Sequence, residues 1–93
     1  MKNLYTELSG MSLQDLLRLL PRRIKFITIW HYLKITRGDV QANHWIISYG
    51  AVEHGAKTLR IASVAMLLDI ENQGVVSIQD RIDKFRKSGY IEN

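Results

Sequence analysis

The sequence predicts a single, mainly α domain. Three observations carry that expectation. Ninety-three residues leave room for one core, because a chain of this size buries only about 60–65% of the surface it exposes when unfolded. Apolar residues recur at helical spacing in three stretches, 13–20, 59–69 and 78–88. Six glycines, Gly10, Gly38, Gly50, Gly55, Gly74 and Gly89, are spaced as helix punctuation.

Composition removes several classes. With 46% hydrophobic and 24% charged residues and a single Pro, the chain is neither disordered nor collagen-like. No apolar run approaches the ~18 residues a membrane span needs, so no membrane partner is expected. The chain has no Cys, which excludes disulfides, thiolate zinc sites and cysteine nucleophiles. No signal peptide is read at the start, and the cytoplasm is the expected compartment.

Residues 1–11 read as an arm, in which Leu4, Tyr5 and Leu8 can pack as one short turn. Ser12 before Leu13-Gln14-Asp15 is a capping start, and Leu13, Leu16, Leu17 and Leu20 follow at helical spacing. Pro21 disfavours helical geometry at Leu20 and ends that helix. In 22–36, Ile24, Phe26, Ile27, Ile29, Trp30, Tyr32, Leu33 and Ile35 are apolar on nearly every side. The β-branched cluster Ile27-Thr28-Ile29 favours strand locally, but the length before Gly38 favours a helix, and a helix is expected. A helix apolar all round must be covered on more than one face, so 12–36 is expected to hold N-terminal helices and a homodimer surface.

Asp39 can cap a further helix over 40–54, carrying Val40, Trp45, Ile46, Tyr49 and Val52, with Gly50 inside it and Gly55 as its stop. Thr58 can cap a helix over 59–69. Glu71-Asn72-Gln73-Gly74 reads as a turn, with Val75-Val76 after it as a short β-bridge or core filler. Ser77 can cap a last helix over 78–88, ended by Gly89, with Tyr90-Ile91 extended. Ile78, Ile82 and Phe85 make one stripe on that helix and anchor it.

The net charge is +4, and it is unevenly placed: residues 1–40 carry seven Lys/Arg against three acids, whereas 41–93 carry six of each. Such a balance suits a polyanion without identifying one. The order of the second half is informative. Val64-Ala65-Met66-Leu67-Leu68-Asp69-Ile70 is similar to the Leu-Ala-x-x-Leu-Gly-Ile of a first helix in helix-turn-helix pairs. Ser77-Ile78-Gln79-Asp80-Arg81-Ile82-Asp83-Lys84-Phe85-Arg86-Lys87-Ser88-Gly89-Tyr90-Ile91 resembles a recognition helix that leaves through Gly-Tyr-Ile. Residues 43–91 thus resemble a winged-helix domain of the broadly MarR-like kind.

That resemblance implies a mainly α, winged-helix-like fold with extra N-terminal helices, a helix-turn-helix core over 40–91 and a short or missing wing. It implies sequence-specific binding of double-stranded DNA by a small transcriptional or replication regulator, with helix 78–88 in the major groove. Gln79 and Arg81 are the expected base contacts. Ser77, Lys84 and Lys87 would meet phosphates, and Lys57 and Arg60 would hold the backbone. The sequence departs from the pattern in a longer connection before Ile78 and in Asp80 and Asp83, which set negative charge on the reading helix. The other reading is a protein-binding module that inhibits or recruits a partner protein without touching DNA.

Arg18, Arg22, Arg23 and Lys25 around Pro21 form either a solvated junction or a second phosphate-contacting patch. Trp30 and Trp45 are read as core or dimer contacts rather than base-stacking platforms. His31, His44 and His54 lack metal-ligand spacing, and His54 has a helix-dipole explanation. No nucleophile elbow or phosphate-binding glycine loop occurs, so no enzymatic activity, metal or cofactor is expected.

Overall fold

A computed structural model describes residues 3–38 and 44–88. Two short helices, α1 (Leu4–Ser9) and α2 (Leu13–Leu19), lead into four strands: β1 (Arg23–Phe26), β2 (Ile29–Arg37), β3 (Trp45–Tyr49) and β4 (Val52–Ala56). Two longer helices follow, α3 (Leu59–Gln73) and α4 (Ile78–Ser88). The strands form one antiparallel sheet in the order β1-β2-β3-β4. The fold is therefore mixed α/β, which overturns the mainly α, winged-helix-like class expected from the sequence.

The helix expected over 22–36 and the described part of the one expected over 40–54 are both β-hairpins, and one geometric fact explains why. Phe26 pairs with Ile29 and Tyr49 pairs with Val52, so each hairpin closes through two residues. A two-residue turn shifts the inward-facing positions from even to odd numbers, or back. Ile24 and Phe26 face inward on β1, whereas Leu33 and Ile35 do so on β2, in register with Tyr49 and Ile47 on β3. Alternation read straight through 22–36 breaks at the turn, and what is left looks apolar on every side.

The two turns share one backbone signature. Gly50 opens the β3–β4 turn with φ 63°, and Ile27 opens the β1–β2 turn with φ 58°. Positive φ at the first central residue is the type II′ pattern, which strongly favours Gly. Holding a β-branched residue there costs on the order of 1–3 kcal/mol.

Each helix begins where a side chain satisfies a free amide. Asn3 Oδ1 accepts from the Tyr5 N–H at 2.8 Å, and Ser12 Oγ accepts from Asp15 at 3.2 Å. Thr58 Oγ1 accepts from Ile61 at 3.1 Å, and Ser77 Oγ accepts from Asp80 at 3.2 Å. The expected caps at Ser12, Thr58 and Ser77 are thus in place. Helix α3 runs past 69 through Gln73, so Glu71-Asn72-Gln73 is its last turn, and Gly74 ends it at φ 71°. The cap expected at Asp39, the first residues of the 40–54 helix and the Gly89-Tyr90-Ile91 exit lie outside the described residues.

Helix α3 is the hub. Ala62, Ser63, Val64, Met66, Leu67 and Ile70 are buried, because α1, α2, α4, β3 and β4 all pack on it. The all-round burial argued for 22–36 applies to this helix instead. The argument for a second subunit over residues 12–36 loses its basis with the helix that motivated it. The inner sheet face supplies Ile24, Ile47 and Tyr49 to the core, and α4 supplies Ile78 and Ile82. Phe85 is half-buried on the same stripe. Among the described residues, no single helix is long and apolar enough to cross a membrane.

Candidate nucleic-acid interface

Helix α4 was the expected reader, and its outer side does carry charge: Asp80, Asp83, Lys84, Arg86 and Lys87 are exposed. Helices α3 and α4 turn through 116°, within the range of helix-turn-helix pairs. The two expected base contacts, however, are engaged within the chain. Arg81 is half-buried, and its Nε donates to the Leu19 carbonyl at 2.8 Å and Nη2 to that of Arg18 at 3.4 Å. It satisfies the carbonyls that α2 leaves open at its C-terminus, where a cation is favoured. Burial lowers the pKa of Arg81, and the nearby Tyr49 opposes that shift.

Gln79 is also half-buried, and its Nε2 donates to Glu7 at 3.3 Å and to Asp83 at 3.4 Å. Ser77 is the helix cap. Lys57 is exposed between β4 and α3, and Arg60 Nη1 donates to the Met11 carbonyl. Lys57 and Arg60 stand at the start of α3, one helix length of roughly 22 Å from the end that leads into α4. Arg86 reaches Glu7 at 3.4 Å. Of the expected site residues, Gln79, Arg81 and Arg60 bond to other elements and Ser77 caps α4, and Lys57, Lys84 and Lys87 lie exposed on the surface.

Beside the Arg81 junction, the Tyr49 hydroxyl donates to the Pro21 carbonyl at 2.6 Å. Burial raises the Tyr49 pKa well above its ordinary value, and Arg81 moderates the rise. Arg81 and Tyr49 together pin the α2–β1 corner, and the corner sets the direction in which β1 leaves the core.

Beyond that corner, the outer face of the sheet has a different chemistry. The strand register places Arg23 opposite Tyr32 and Lys25 opposite Trp30 on this face, with Lys34 opposite Ser48. Trp30 is 45% exposed and Tyr32 64%. The Arg23 guanidinium lies 4.3 Å from the centre of the Trp30 ring, and the Lys25 ammonium lies 5.7 Å from it. These are diagonal and direct cross-strand neighbours, held by the pleat. No acid occurs between Asp15 and Asp39, a stretch that carries Arg18, Arg22, Arg23, Lys25, Lys34 and Arg37. A base that displaced the Arg23 guanidinium from the exposed Trp30 ring would stack there and leave the cation for a phosphate.

Trp30 is therefore on the surface and not in the core, the first of the two places expected for it. Trp45 is half-buried on the inner side, with the Arg37 guanidinium 5.4 Å from its ring. The platform did leave a trace in the sequence: Arg23 and Lys25, then Trp30, Tyr32 and Lys34, each fall at alternate positions. The phase change at Ile27-Thr28 hid it.

His31 and His54 make contacts within the fold. His31 Nδ1 would meet a Cβ at position 50 at only 2.3 Å, and its ring lies 5.4 Å from that of Phe26. His54 sits on β4, where its Nε2 meets Asp69 Oδ2 at 2.6 Å. Hydrogen bonds from Gln73, then from His54, hold the Asp69 carboxyl below its ordinary range. The helix-dipole account of His54 fails because residue 54 lies on strand β4 and not at the end of a helix over 40–54. Among the described residues, no group of three His, Asp or Glu could hold a metal. Comparison with known proteins finds no matching family model, curated protein or solved structure, so the winged-helix resemblance of residues 43–91 rests on its residue pattern alone.

Proposed function

We propose that this protein binds nucleic acid, and that a single strand lies across the outer face of β1 and β2. One observation carries the reading: Trp30 and Tyr32 stand exposed side by side among Arg23, Lys25 and Lys34, in a stretch without an acid. Stacking on aromatic rings is available to every base, and cations alongside track the backbone without reading sequence. Apolar rings grouped on one face are a marker of interaction.

The test is binding of fluorescein-labelled 20-mers, single-stranded and duplex, followed by anisotropy. The single strand is expected to bind more tightly. Its log Kd should change with log salt with a slope of about 1.4–2.1 in magnitude, as two or three phosphates are neutralised. Trp30→Ala with Tyr32→Ala should weaken binding by about 30-fold or more. Lys84→Ala with Lys87→Ala should leave it nearly unchanged.

The duplex reading through α4 is the second one. The 116° turn and the exposed Lys84 and Lys87 favour it. The internal engagement of Gln79 and Arg81, with Asp80 and Asp83 on the open side, weighs against it. Duplex preferred over single strand, with loss on Lys84→Ala and Lys87→Ala, would select it. If neither nucleic acid binds at low salt, the protein-binding module leads. A homodimer through the N-terminal region is a separate proposal, checked by light scattering at two concentrations.

A further inference from the structure

We propose that the tip of the β1–β2 hairpin is a wedge: Ile27 enters the base stack where a single strand meets paired nucleic acid, and holds the first pair open. This inference rests on the reading of the outer sheet face as a nucleic-acid surface. Three features of the tip point to it.

Ile27 is 98% exposed, the most open large apolar side chain among the described residues, and Ile29 across the turn is 62% exposed. Nothing in the fold uses the Ile27 side chain. Its backbone is held at φ 58°, where a β-branched side chain is strained and Gly is the favoured residue. A side chain that is both unpacked and strained makes no contribution to folding, and such outliers gather at functional sites. The charge around it has one sign. Arg22, Arg23 and Lys25 lie within five residues on one side, and Lys34 follows on the other, with no acid between.

An apolar tip flanked by cations matches what wedging requires. Backbone phosphates are held on either side while one aliphatic side chain, such as Leu, Ile or Met, parts a base step. The strand on the platform then continues directly from the opened pair, because β1 and β2 carry both features. A lipid surface is the other partner with this chemistry. It is the weaker fit, since Ile27 and Ile29 together offer far fewer CH2 groups than one acyl chain, and a single acyl chain gives only marginal membrane binding.

The experiment uses a forked DNA with 2-aminopurine at the first paired position, whose emission rises when it unstacks. Wild-type protein is expected to raise it on binding. Ile27→Gly relieves the backbone while removing the side chain, so it folds at least as well as the wild type. It should bind the single-stranded arm within about twofold of wild type and lose most of the emission rise. Ile27→Leu, which keeps an apolar tip, should retain the rise.

Binding of the fork without any rise, or a full rise with Ile27→Gly, overturns the wedge while leaving the platform standing. No binding to fork or single strand overturns both. Sedimentation of wild type, but not Ile27→Gly, with phosphatidylserine vesicles, together with a silent fork, would assign the tip to membranes instead.

Discussion

The two hairpins close in the same way and differ in what they place at the turn. Both use two residues, and both hold the first at positive φ, 63° at Gly50 and 58° at Ile27. At Gly50 the fold demands it: any Cβ would strike the His31 ring at 2.3 Å, and Gly takes that backbone without strain. At Ile27 the fold demands nothing of the side chain, which hangs 98% exposed. The same backbone geometry is thus solved once for stability and once against it. The half of the sheet that follows the rule packs under α3, and the half that breaks it carries the cations and open rings.

Substitution at Gly50 should break the comparison most strongly. Gly50→Ala forces a side chain into the left-handed region and against His31, and is expected to cost about 3 kcal/mol in urea unfolding. Arg81→Ala comes next, at about 2 kcal/mol, because two helix-end carbonyls lose a charged donor. Single-strand affinity should not change with Arg81→Ala. If stability holds and binding falls instead, α4 is the reader and the sheet face is not.

Ile27→Gly has the opposite sign. Relief of the strained backbone slightly outweighs the extra freedom of Gly in the unfolded chain, for a gain of about 0.5 kcal/mol. A loss of stability there would show that the side chain does pack, and the contrast between the turns would disappear.

The smallest effect concerns pH. The folded Asp69 carboxyl lies below its ordinary value, first because of Gln73 and then because of His54. Its contribution is fully present above the unfolded value of about 3.9, and is lost as pH falls through the lowered folded value. Asp69→Asn should flatten that part of the acid limb in urea titrations between about pH 2 and 6. Both hairpin turns lie away from this pair, so their substitutions should leave the acid limb unchanged.

What was legible in the sequence was local. Ser12, Thr58 and Ser77 announced their helices because a hydroxyl beside a first turn has one strong use. Pro21 ended α2, and Ile78, Ile82 and Phe85 showed the buried stripe of α4. The sheet was hidden for two reasons. Each two-residue turn reverses the phase of alternation, so Ile24 and Ile35 face inward from positions of opposite parity. The outer face also carries Trp30 and Tyr32, so both sides of β2 look apolar and mimic a buried helix.

The candidate site was legible in its charge and not in its place. The run of cations from Arg18 to Arg37 was visible, but its exposure depended on a sheet that periodicity had assigned to helix. Gln79 and Arg81 were plausible readers as a pattern. Their partners, Glu7 and the carbonyls at the end of α2, lie some sixty or seventy residues away in the chain, beyond what spacing can reveal.

The most direct measurement follows Trp30 itself. The chain has two Trp, so Trp45→Phe leaves Trp30 as the sole indole, and its emission can be followed while oligothymidine is added at low salt. Stacking on the outer face should quench it saturably, with added salt restoring the signal. Unchanged Trp30 emission from a folded protein, at oligonucleotide concentrations that saturate an anisotropy signal, would mean that nucleic acid binds elsewhere and that the exposed rings of β2 serve another partner.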